Sequence, residues 1–355
     1  MVVCPKIDGK PRKPRCTADL SCLNKVAVRQ THATKSPFHQ AVSVPKHTVK
    51  TVLDCWEGYH LVPLAEEDRH YTCFITPFRR YRYKTSPQGF LASGDGYTSR
   101  YDRIVAGFGN FTKCVDDTLI WDQNLEENFF RTCAYLTLCS SNGIIFNKKK
   151  FIFGKEQVEF LGFEITKDSV RPSSTFLQVT QDFPQPRDIT SIRSWVGLIN
   201  QCAYAFSMTD VMKPFRDLLK PSTEFIWTDE PQEAFEKSKN LIIEAVKNGI
   251  MTFEMDRITC LATDWSKSGI GFVLLQKYCD CQELTPICCK SGWKLVFAGS
   301  WFTSDAERRY SPVEGEALAV VFGLKRAKYF TLGCQDLLLA VDHKPLLGLL
   351  GNKNL

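Results

Sequence analysis

The segment that most constrains the fold is the run FTKCVDDTLI at residues 111–120. Two short β-favouring runs, 111–115 and 118–121, flank the adjacent acids Asp116 and Asp117, which predicts a tight hairpin with both carboxylates at its tip. Adjacent carboxylates repel each other unless a cation lies between them, so the pattern indicates a metal site. A polar turn that merely carries two acids explains the segment equally well, and other parts of the chain must decide.

An upstream acid supports the metal-site interpretation. In the run TVLDCWEGYHLVP at residues 51–63, Asp54 ends an apolar strand-like stretch, and Tyr59 follows five residues later. If that strand lies beside the hairpin, its terminal acid meets the aspartate pair. A third carboxylate would then complete the site.

A second set of acids lies near the end of the chain. Asp264 and Asp342 each follow an apolar run that predicts a strand, and a predicted helix between them, residues 311–331, carries Glu314 and Glu316. Acids at strand ends together with one on a helix are what a shared metal site requires. The pattern alone leaves open which of the two glutamates takes part.

The charge of the chain is concentrated at its beginning. The 355 residues, 44% hydrophobic and 24% charged, suffice for two or three globular modules, and their formal net charge is +6. Residues 1–50 hold seven Lys, three Arg, two Asp and no Glu, hence +8, which leaves −2 for the other 305. This asymmetry predicts a polyanionic partner, phosphate or nucleic acid, and a solvated basic arm is the alternative.

The chain lacks the sequence signals of membrane insertion and secretion. No apolar run approaches the roughly 20 residues that cross a bilayer, and residues 1–15 lack the apolar core of a secretory signal. Most of the fifteen cysteines stand singly in apolar runs, as buried free thiols do in a reducing compartment. We therefore expect a soluble, intracellular protein with no membrane partner.

One group of cysteines stands apart from the others. Cys279, Cys281, Cys288 and Cys289 have a C-x-C…C-C spacing that could hold zinc. Zinc sites more often use C-x2-C pairs, so a cysteine-rich loop is the favoured interpretation.

Nine short motifs in one order resemble the reverse transcriptase–ribonuclease H part of the Pol polyprotein of Ty3/gypsy-type LTR retrotransposons. They are DGKPR, LDCWEGY, SPQGF, VDD, NGI followed by KKK, FLGFEIT, ATDWS, EGEALAV and VDHKPL. Each is weak alone, but nine in family order are specific. The resemblance implies an α+β fold: right-hand polymerase fingers and palm at 1–170, a helical thumb and connection at 171–250, and a C-terminally truncated α/β ribonuclease H-like domain at 251–355.

The resemblance also implies an activity, that of an RNA-directed DNA polymerase. Asp54 and Asp116 match acids that hold two Mg²⁺ ions, or Mn²⁺, for nucleotidyl transfer, and Asp117 matches the acid that supports their geometry. The implied partners are an RNA template, a DNA primer, dNTPs, the RNA–DNA hybrid and other Pol segments. The implied location is the cytoplasm, a virus-like particle or the nucleus.

The second acidic set then matches ribonuclease H, which cuts the RNA strand of the hybrid with two metals and four acids. Asp264, Glu316 and Asp342 match three of these acids. Glu316 is preferred over Glu314 because it stands directly before Ala-Leu-Ala, as in the family.

Several residues match substrate-binding positions of the family. Tyr59 matches the aromatic that packs under the sugar and excludes a 2′-hydroxyl, although by itself it would be a core aromatic. Gln88 and Gly89 match the motif that lines the nucleotide and template pocket, and Lys150 matches a lysine that protonates the leaving pyrophosphate, with a solvated lysine run as its alternative. The cations that resemble the triphosphate clamp are Lys6 and one of Arg12, Lys13 and Arg15.

Four departures from the family qualify this expectation. Cys114 replaces a tyrosine, the run LASGDGY at 91–97 replaces one that contains Asn-Ala-Pro, and the chain starts inside the fingers. The chain also ends 13 residues after Asp342, before the family's last acid, which predicts an impaired ribonuclease H and a retroelement fragment. The competing hypothesis is a catalytically inactive remnant that only binds nucleic acid. An unrelated α/β metal-dependent hydrolase is disfavoured by the order of the polymerase motifs.

Overall fold

The computed structural model describes residues 2–3, 16–205, 209–220, 224–283, 288–289 and 291–351. The chain divides into two compact units, Met1–Leu161 and Gly162–Leu355. The expected division into three modules stays a prediction. Within the described ranges, no helix is long and apolar enough to cross a membrane.

The first unit is built around a four-stranded antiparallel sheet with the strand order β6-β7-β3-β8. The strands of this unit are β1 (Val2–Val3), β2 (Cys16–Thr17), β3 (Val49–Asp54), β4 (Phe74–Ile75), β5 (Arg80–Tyr81), β6 (Phe111–Cys114), β7 (Asp117–Asp122), β8 (Ile152–Lys155) and β9 (Val158–Phe160). The helices are α1 (Ser21–Val26), α2 (Pro37–Val42), α3 (Ser93–Ile104) and α4 (Leu125–Ser141), with 3₁₀ helices at Gly58–Leu61 and Glu66–Thr72.

The core of the first unit lies between this sheet and the helices α3 and α4. Leu53 and Ile120, on the neighbouring strands β3 and β7, are fully buried. They pack in one cluster with Tyr101 of α3 and Tyr135 of α4, whose hydroxyl groups hydrogen-bond at 3.0 Å. Buried tyrosines require such partners, so the pair fixes the two helices against the sheet. This packing holds the carboxyl end of β3 in place.

The second unit combines a helical cluster with a second four-stranded sheet. Its strands are β10 (Phe163–Ile165), β11 (Ser169–Pro172), β12 (Ile250–Met251), β13 (Thr259–Trp265), β14 (Gly269–Lys277), β15 (Trp293–Phe302) and β16 (Leu337–Ala340). Its helices are α5 (Ser174–Gln181), α6 (Ile189–Cys202), α7 (Thr209–Leu218), α8 (Asp229–Asn248), α9 (Pro312–Arg326), α10 (Lys328–Thr331) and α11 (Lys344–Gly351), with a 3₁₀ turn at Glu307–Arg309.

The helical cluster forms around one buried tryptophan. Trp195 of α6 is fully buried and packs edge-on against Phe235 of α8, with ring centroids 4.8 Å apart. Its indole N–H donates to the hydroxyl of Ser238 at 3.1 Å, which satisfies its polar atom. The helices α6, α7 and α8 therefore share one apolar core.

The second sheet has the order β15-β14-β13-β16, and only its last pair is parallel. A parallel neighbour requires a crossover connection, and α9 lies in the connection that leads to β16. The helix packs directly on β13: a Cβ at Gly323 would lie 3.1 Å from the Thr263 side chain. The parallel register pairs Ala262 with Ala340, so the residues that follow these strands emerge side by side.

Candidate functional site

The first carboxylate site (Asp54, Asp116 and Asp117) begins at the hairpin of β6 and β7. The structure confirms the hairpin but shifts its turn. Asp117 is the first residue of β7 and pairs with Cys114, so only Val115 and Asp116 form the turn. The expectation that both acids lie at the tip was therefore wrong for Asp117. Val115 has a φ of 50°, a conformation that β-branched residues rarely adopt.

Strand β3 supplies the third acid. Asp54 is the last residue of β3 and lies directly opposite Asp117 in the antiparallel register. The backbone N–H of Cys55 donates to the carbonyl oxygen of Asp116 at 3.0 Å, which joins the strand end to the turn. Because a shift of one residue would turn Asp54 to the other face, this register brings the acids together.

The electrostatics of the first carboxylate site favour a cation. The pKa of Asp117 is raised to about 6, mainly by burial and also by the charge of Asp54, against the opposing effect of Lys150. The Lys150 ammonium lies 2.6 Å from Oδ2 of Asp54, and this hydrogen bond raises the pKa of the lysine. Lys150 is thus the side chain of the KKK run that contacts the site. Its own side chain is 62% exposed, so it can leave the site at little cost.

The segment after β3 brings an aromatic side chain near Asp116. Tyr59 lies on the 3₁₀ helix Gly58–Leu61 and packs edge-on against Tyr97, with ring centroids 5.9 Å apart. Burial raises the pKa of Tyr59, and the nearby Asp116 carboxylate adds to this effect. Gly58 is buried and packs closely against Tyr97 and Asp116. A Cβ there would lie 2.5 Å from the Tyr97 ring and 2.9 Å from Oδ1 of Asp116.

Among the remaining predicted substrate residues, the structure describes Gln88 and Gly89. Gln88 is half-buried and Gly89 exposed in the loop before α3. Gly89 has a φ of 93°, and its carbonyl oxygen accepts a hydrogen bond from Nδ2 of Asn24 at 2.8 Å. The structure gives neither residue a contact with the carboxylates. The clamp cations predicted from sequence, Lys6, Arg12, Lys13 and Arg15, lie outside the described residues.

Cys114, which replaces the family's tyrosine, lies beside the acids. It is half-buried, and its register partner across the hairpin is Asp117. Burial raises the pKa of its thiol, and the Asp117 charge raises it further. A neutral thiol leaves the carboxylates free to act as ligands.

The second carboxylate site (Asp264, Glu316 and Asp342) is assembled by the second sheet and α9. Asp264 and Asp342 each stand two residues beyond the paired Ala262 and Ala340 of the parallel strands. One carboxylate oxygen from each of the three acids lies within 4.8 Å of the other two. Among the acids in the described ranges, this is the one trio with that spacing, and the first carboxylate site does not meet it.

Glu316 is the buried acid of this second site. It is only 5% exposed, and burial together with the charges of Asp342 and Asp264 raises its pKa to about 7. The backbone N–H of Trp265 donates to its Oε1 at 3.4 Å. Its Oε2 is buried and accepts no hydrogen bond from any residue in the described ranges. A buried carboxylate oxygen without a donor is suited to a cation.

The structure separates the two candidate glutamates of α9. Glu314 forms a capping box with Ser311: its carboxylate accepts from the Ser311 N–H at 2.9 Å and from the hydroxyl at 2.8 Å. These hydrogen bonds lower the pKa of Glu314. Glu314 therefore serves the helix end, and Glu316, two residues later, faces the other acids.

The roles of two residues beside this site, Trp265 and Gly315, were not predicted from the sequence. The ring of Trp265 packs so closely on α9 that a Cβ at Gly315 would lie 2.7 Å from its Cε3 atom. Gly315 thus admits the tryptophan whose amide contacts Glu316. The one sequence signal was a glycine inside a helix directly before an acid, where it costs helix stability.

Comparison with family models finds a match for two separate regions of the chain. Residues 4–165 match the family described as reverse transcriptase (RNA-dependent DNA polymerase). Residues 254–355 match the RNase H-like domain found in reverse transcriptase. The two carboxylate sites each lie within one matched region.

Curated relatives resemble nearly the whole chain. The Retrovirus-related Pol polyproteins from transposons gypsy and 297 of Drosophila melanogaster are 25% and 27% identical over 98% and 95% of it. The Transposon Tf2-3 polyprotein of Schizosaccharomyces pombe is 24% identical over 99%. The chain spans only 33%, 31% and 25% of the length of these three polyproteins.

Solved structures show the same fold. A foamy viral protease-reverse transcriptase in complex with double-stranded DNA aligns with a TM-score of 0.82 and 19% identity, over 99% of this chain and 59% of the viral one. Another, in complex with an RNA/DNA hybrid, aligns with a TM-score of 0.74 and 20% identity, over 99% of this chain and 46% of the viral one. The chain therefore combines a region of the reverse transcriptase family with an RNase H-like domain of the kind found in reverse transcriptase, and its homologues are Ty3/gypsy-type transposon Pol polyproteins.

Proposed function

We propose that this chain is an RNA-directed DNA polymerase that extends a DNA primer on an RNA template from dNTPs. The observation that carries the proposal is the register of the central sheet, which sets Asp54 opposite Asp117 and bonds the next residue to the backbone of Asp116. This arrangement lies inside the region that matches the reverse transcriptase family. Complexes of similarly folded viral enzymes with DNA and with an RNA/DNA hybrid support nucleic-acid partners.

The donor set of the first carboxylate site fits magnesium, with manganese as a substitute. Carboxylate oxygens are the hard ligands that Mg²⁺ prefers, and the pKa of Asp117 is raised by burial and by the nearby charge of Asp54, which a bound cation would offset. Asp54 and Asp116 would hold two ions, and Asp117 would support their positions. When bound, these ions supply activation of the primer hydroxyl and neutralisation of the triphosphate charge.

The chain's own side chains would bind and orient the substrates. Tyr59, half-buried near Asp116, would pack under the sugar of the incoming nucleotide and exclude a 2′-hydroxyl. Gln88 and Gly89 would line the nucleotide and template pocket, and the clamp cations would bind the triphosphate. Lys150 would part from Asp54 and donate its proton to the leaving pyrophosphate.

We further propose that the second carboxylate site cuts the RNA strand of the RNA–DNA hybrid. The clustered oxygens of Asp264, Glu316 and Asp342 and the orphaned Oε2 of Glu316 support divalent metal binding there. The expectation that this activity is impaired stays a prediction. Cleavage of an end-labelled hybrid in Mg²⁺ tests it, because efficient cutting would contradict it.

Primer extension tests the polymerase proposal. On poly(rA)–oligo(dT) with Mg²⁺, we expect dTTP incorporation by the unmodified chain and its loss in Asp116→Asn, since an amide is a weaker metal ligand. Asp68→Asn is the matched control, because Asp68 is an exposed acid of the same unit. Binding of the same duplex, measured by fluorescence anisotropy, should be similar for all three proteins.

The same experiment decides on the alternative of a binding-only remnant. If the unmodified chain and Asp116→Asn incorporate equally little dTTP while both bind the duplex, the polymerase proposal fails and the remnant hypothesis stands.

A further inference from the structure

The loop between β14 and β15 brings four cysteine side chains together. These strands are antiparallel neighbours whose ends pair Lys277 with Trp293. The cysteine cluster (Cys279, Cys281, Cys288 and Cys289) lies in the loop that joins them. One sulfur from each of the four lies within 4.8 Å of all the others. The favoured expectation of an unspecialised cysteine-rich loop does not account for this convergence.

The sulfur spacing suits a single tetrahedral metal ion. Tetrahedral zinc with Zn–S bonds of about 2.3 Å separates its sulfurs by about 3.8 Å. The sulfurs of Cys279 and Cys288 lie 3.4 Å apart, close to that value and well beyond the roughly 2.05 Å of a disulfide bond. All four cysteines are free thiols. A cluster of several metal ions would need a wider arrangement of sulfurs.

Two flanking side chains hold the loop around the sulfurs. The indole N–H of Trp293 donates to the sulfur of Cys288 at 3.2 Å. The buried ammonium of Lys277 donates to the carbonyl oxygens of Cys281 and Glu283. Trp293 is a donor of the kind that orients thiolate ligands in metal sites, whereas Lys277 holds the backbone beside Cys281.

A glycine at the end of the loop leaves room for the sulfurs. A Cβ at Gly292 would lie 2.6 Å from the sulfur of Cys279 and would also overlap that of Cys289. The Gly292 carbonyl oxygen accepts from the N–H of Tyr278 at 2.7 Å, which closes the loop at its base. Glycine is therefore required here by the sulfurs themselves.

We propose that the cysteine cluster is a structural zinc site. Four protein ligands fill a tetrahedral Zn²⁺ completely, which is the pattern of structural and not catalytic sites. Binding would release the four thiol protons and leave a site of net charge −2, beside the Lys277 cation. The ion would fasten the end of the β14–β15 hairpin. This proposal does not depend on either carboxylate site being active.

Metal content of the whole chain tests the proposal directly. The protein is purified under reducing conditions, incubated with Zn²⁺, dialysed and analysed by elemental mass spectrometry. We expect about one zinc per chain, protection of four thiols from a thiol reagent, and, after exchange with Co²⁺, the visible bands of a tetrahedral tetrathiolate. A chain that keeps no zinc, or that keeps it with all its thiols equally reactive, would overturn the proposal.

Matched variants assign the metal to these residues. Cys281→Ser combined with Cys289→Ser should abolish zinc retention and the Co²⁺ bands. Cys334→Ser, which removes a partly exposed cysteine of the same unit outside the cluster, should retain both. Zinc retained by the double variant at the level of the unmodified chain would place the metal elsewhere and refute the assignment. Because the unmodified chain is tested by itself, a misfolded variant does not decide the result.

Discussion

The two glutamates of α9 provide a sharp test, because substituting them should have opposite effects on stability. Glu316 is buried beside two other acids, and its pKa rises from 4.5 to about 7. The unfolded chain ionises Glu316 near pH 4.5 and the folded chain near pH 7. The folded state therefore binds the extra proton between these values. Its stability falls as the pH rises from about 4.5 to 7 and stays low above that.

The size of this change in stability follows from the pKa shift of Glu316. At about 1.4 kcal/mol per pKa unit, this pKa shift corresponds to at most about 3.5 kcal/mol, and screening by water near the exposed Asp264 and Asp342 reduces it to about 1–2 kcal/mol. Glu316→Gln removes the charge and keeps an oxygen for the Trp265 N–H. We expect this variant to be more stable than the unmodified chain at pH 8 by that amount, with no difference at pH 4.5. It should also lose hybrid cleavage.

The assay measures hydrogen exchange of the α9 peptide across a urea series, at both pH values and in EDTA so that no metal contributes. The comparison variant is Glu314→Ala, which loses its hydrogen bonds to Ser311 and should lower α9 stability at pH 8. It should keep whatever hybrid cleavage the unmodified chain has. Equal stability of Glu316→Gln and the unmodified chain at pH 8, or equal loss of cleavage in both variants, would refute the reasoning.

Further predictions concern the first carboxylate site. Lys150→Met should lower the primer-extension rate by about 10²-fold or more, the usual range for a general acid. Lys149→Met is the control and should change this rate little. Equal rates for the two variants would count against a role for Lys150. Gly58→Ala should lower the unfolding free energy by about 1–3 kcal/mol, because its Cβ would lie 2.9 Å from Oδ1 of Asp116 and against a tyrosine ring. Gly96→Ala should instead stabilise the protein by about 0.5–1 kcal/mol, because a Cβ at this position of α3 meets nothing within 4 Å. Thermal unfolding measures both effects. A destabilised Gly96→Ala variant or an unchanged Gly58→Ala variant would contradict this prediction.

The acids themselves could be read from the sequence because their local context is distinctive. Asp54 ends an apolar strand, and Asp116 and Asp117 interrupt two β-favouring runs, so strand patterning alone predicts a hairpin with acids near its turn. The order of nine short motifs added the family, and family models match the same two regions. These signals are local in the sequence, so they can be recognised without knowledge of the tertiary packing.

Other features were decided only by the tertiary structure, because they depend on which distant residues meet. The sequence could not show that Asp117 enters β7 opposite Asp54, because a one-residue change of register is invisible to strand patterning. The contact of Lys150 with Asp54 spans 96 positions of the chain. The hydrogen bond from the Trp265 N–H to Glu316 spans 51 positions.

The cysteine cluster also shows the difference between what the sequence predicts and what the tertiary structure decides. Its spacing in the sequence departs from the common zinc pattern and favoured an ordinary loop. The antiparallel pairing of β14 with β15 closes that loop, and a glycine at its base admits the sulfurs, so the four thiols converge. Residue types and local patterns determined which groups are available to this protein. Register, crossover and close packing decided which of those groups meet, because contacts between distant residues are set by the folded backbone.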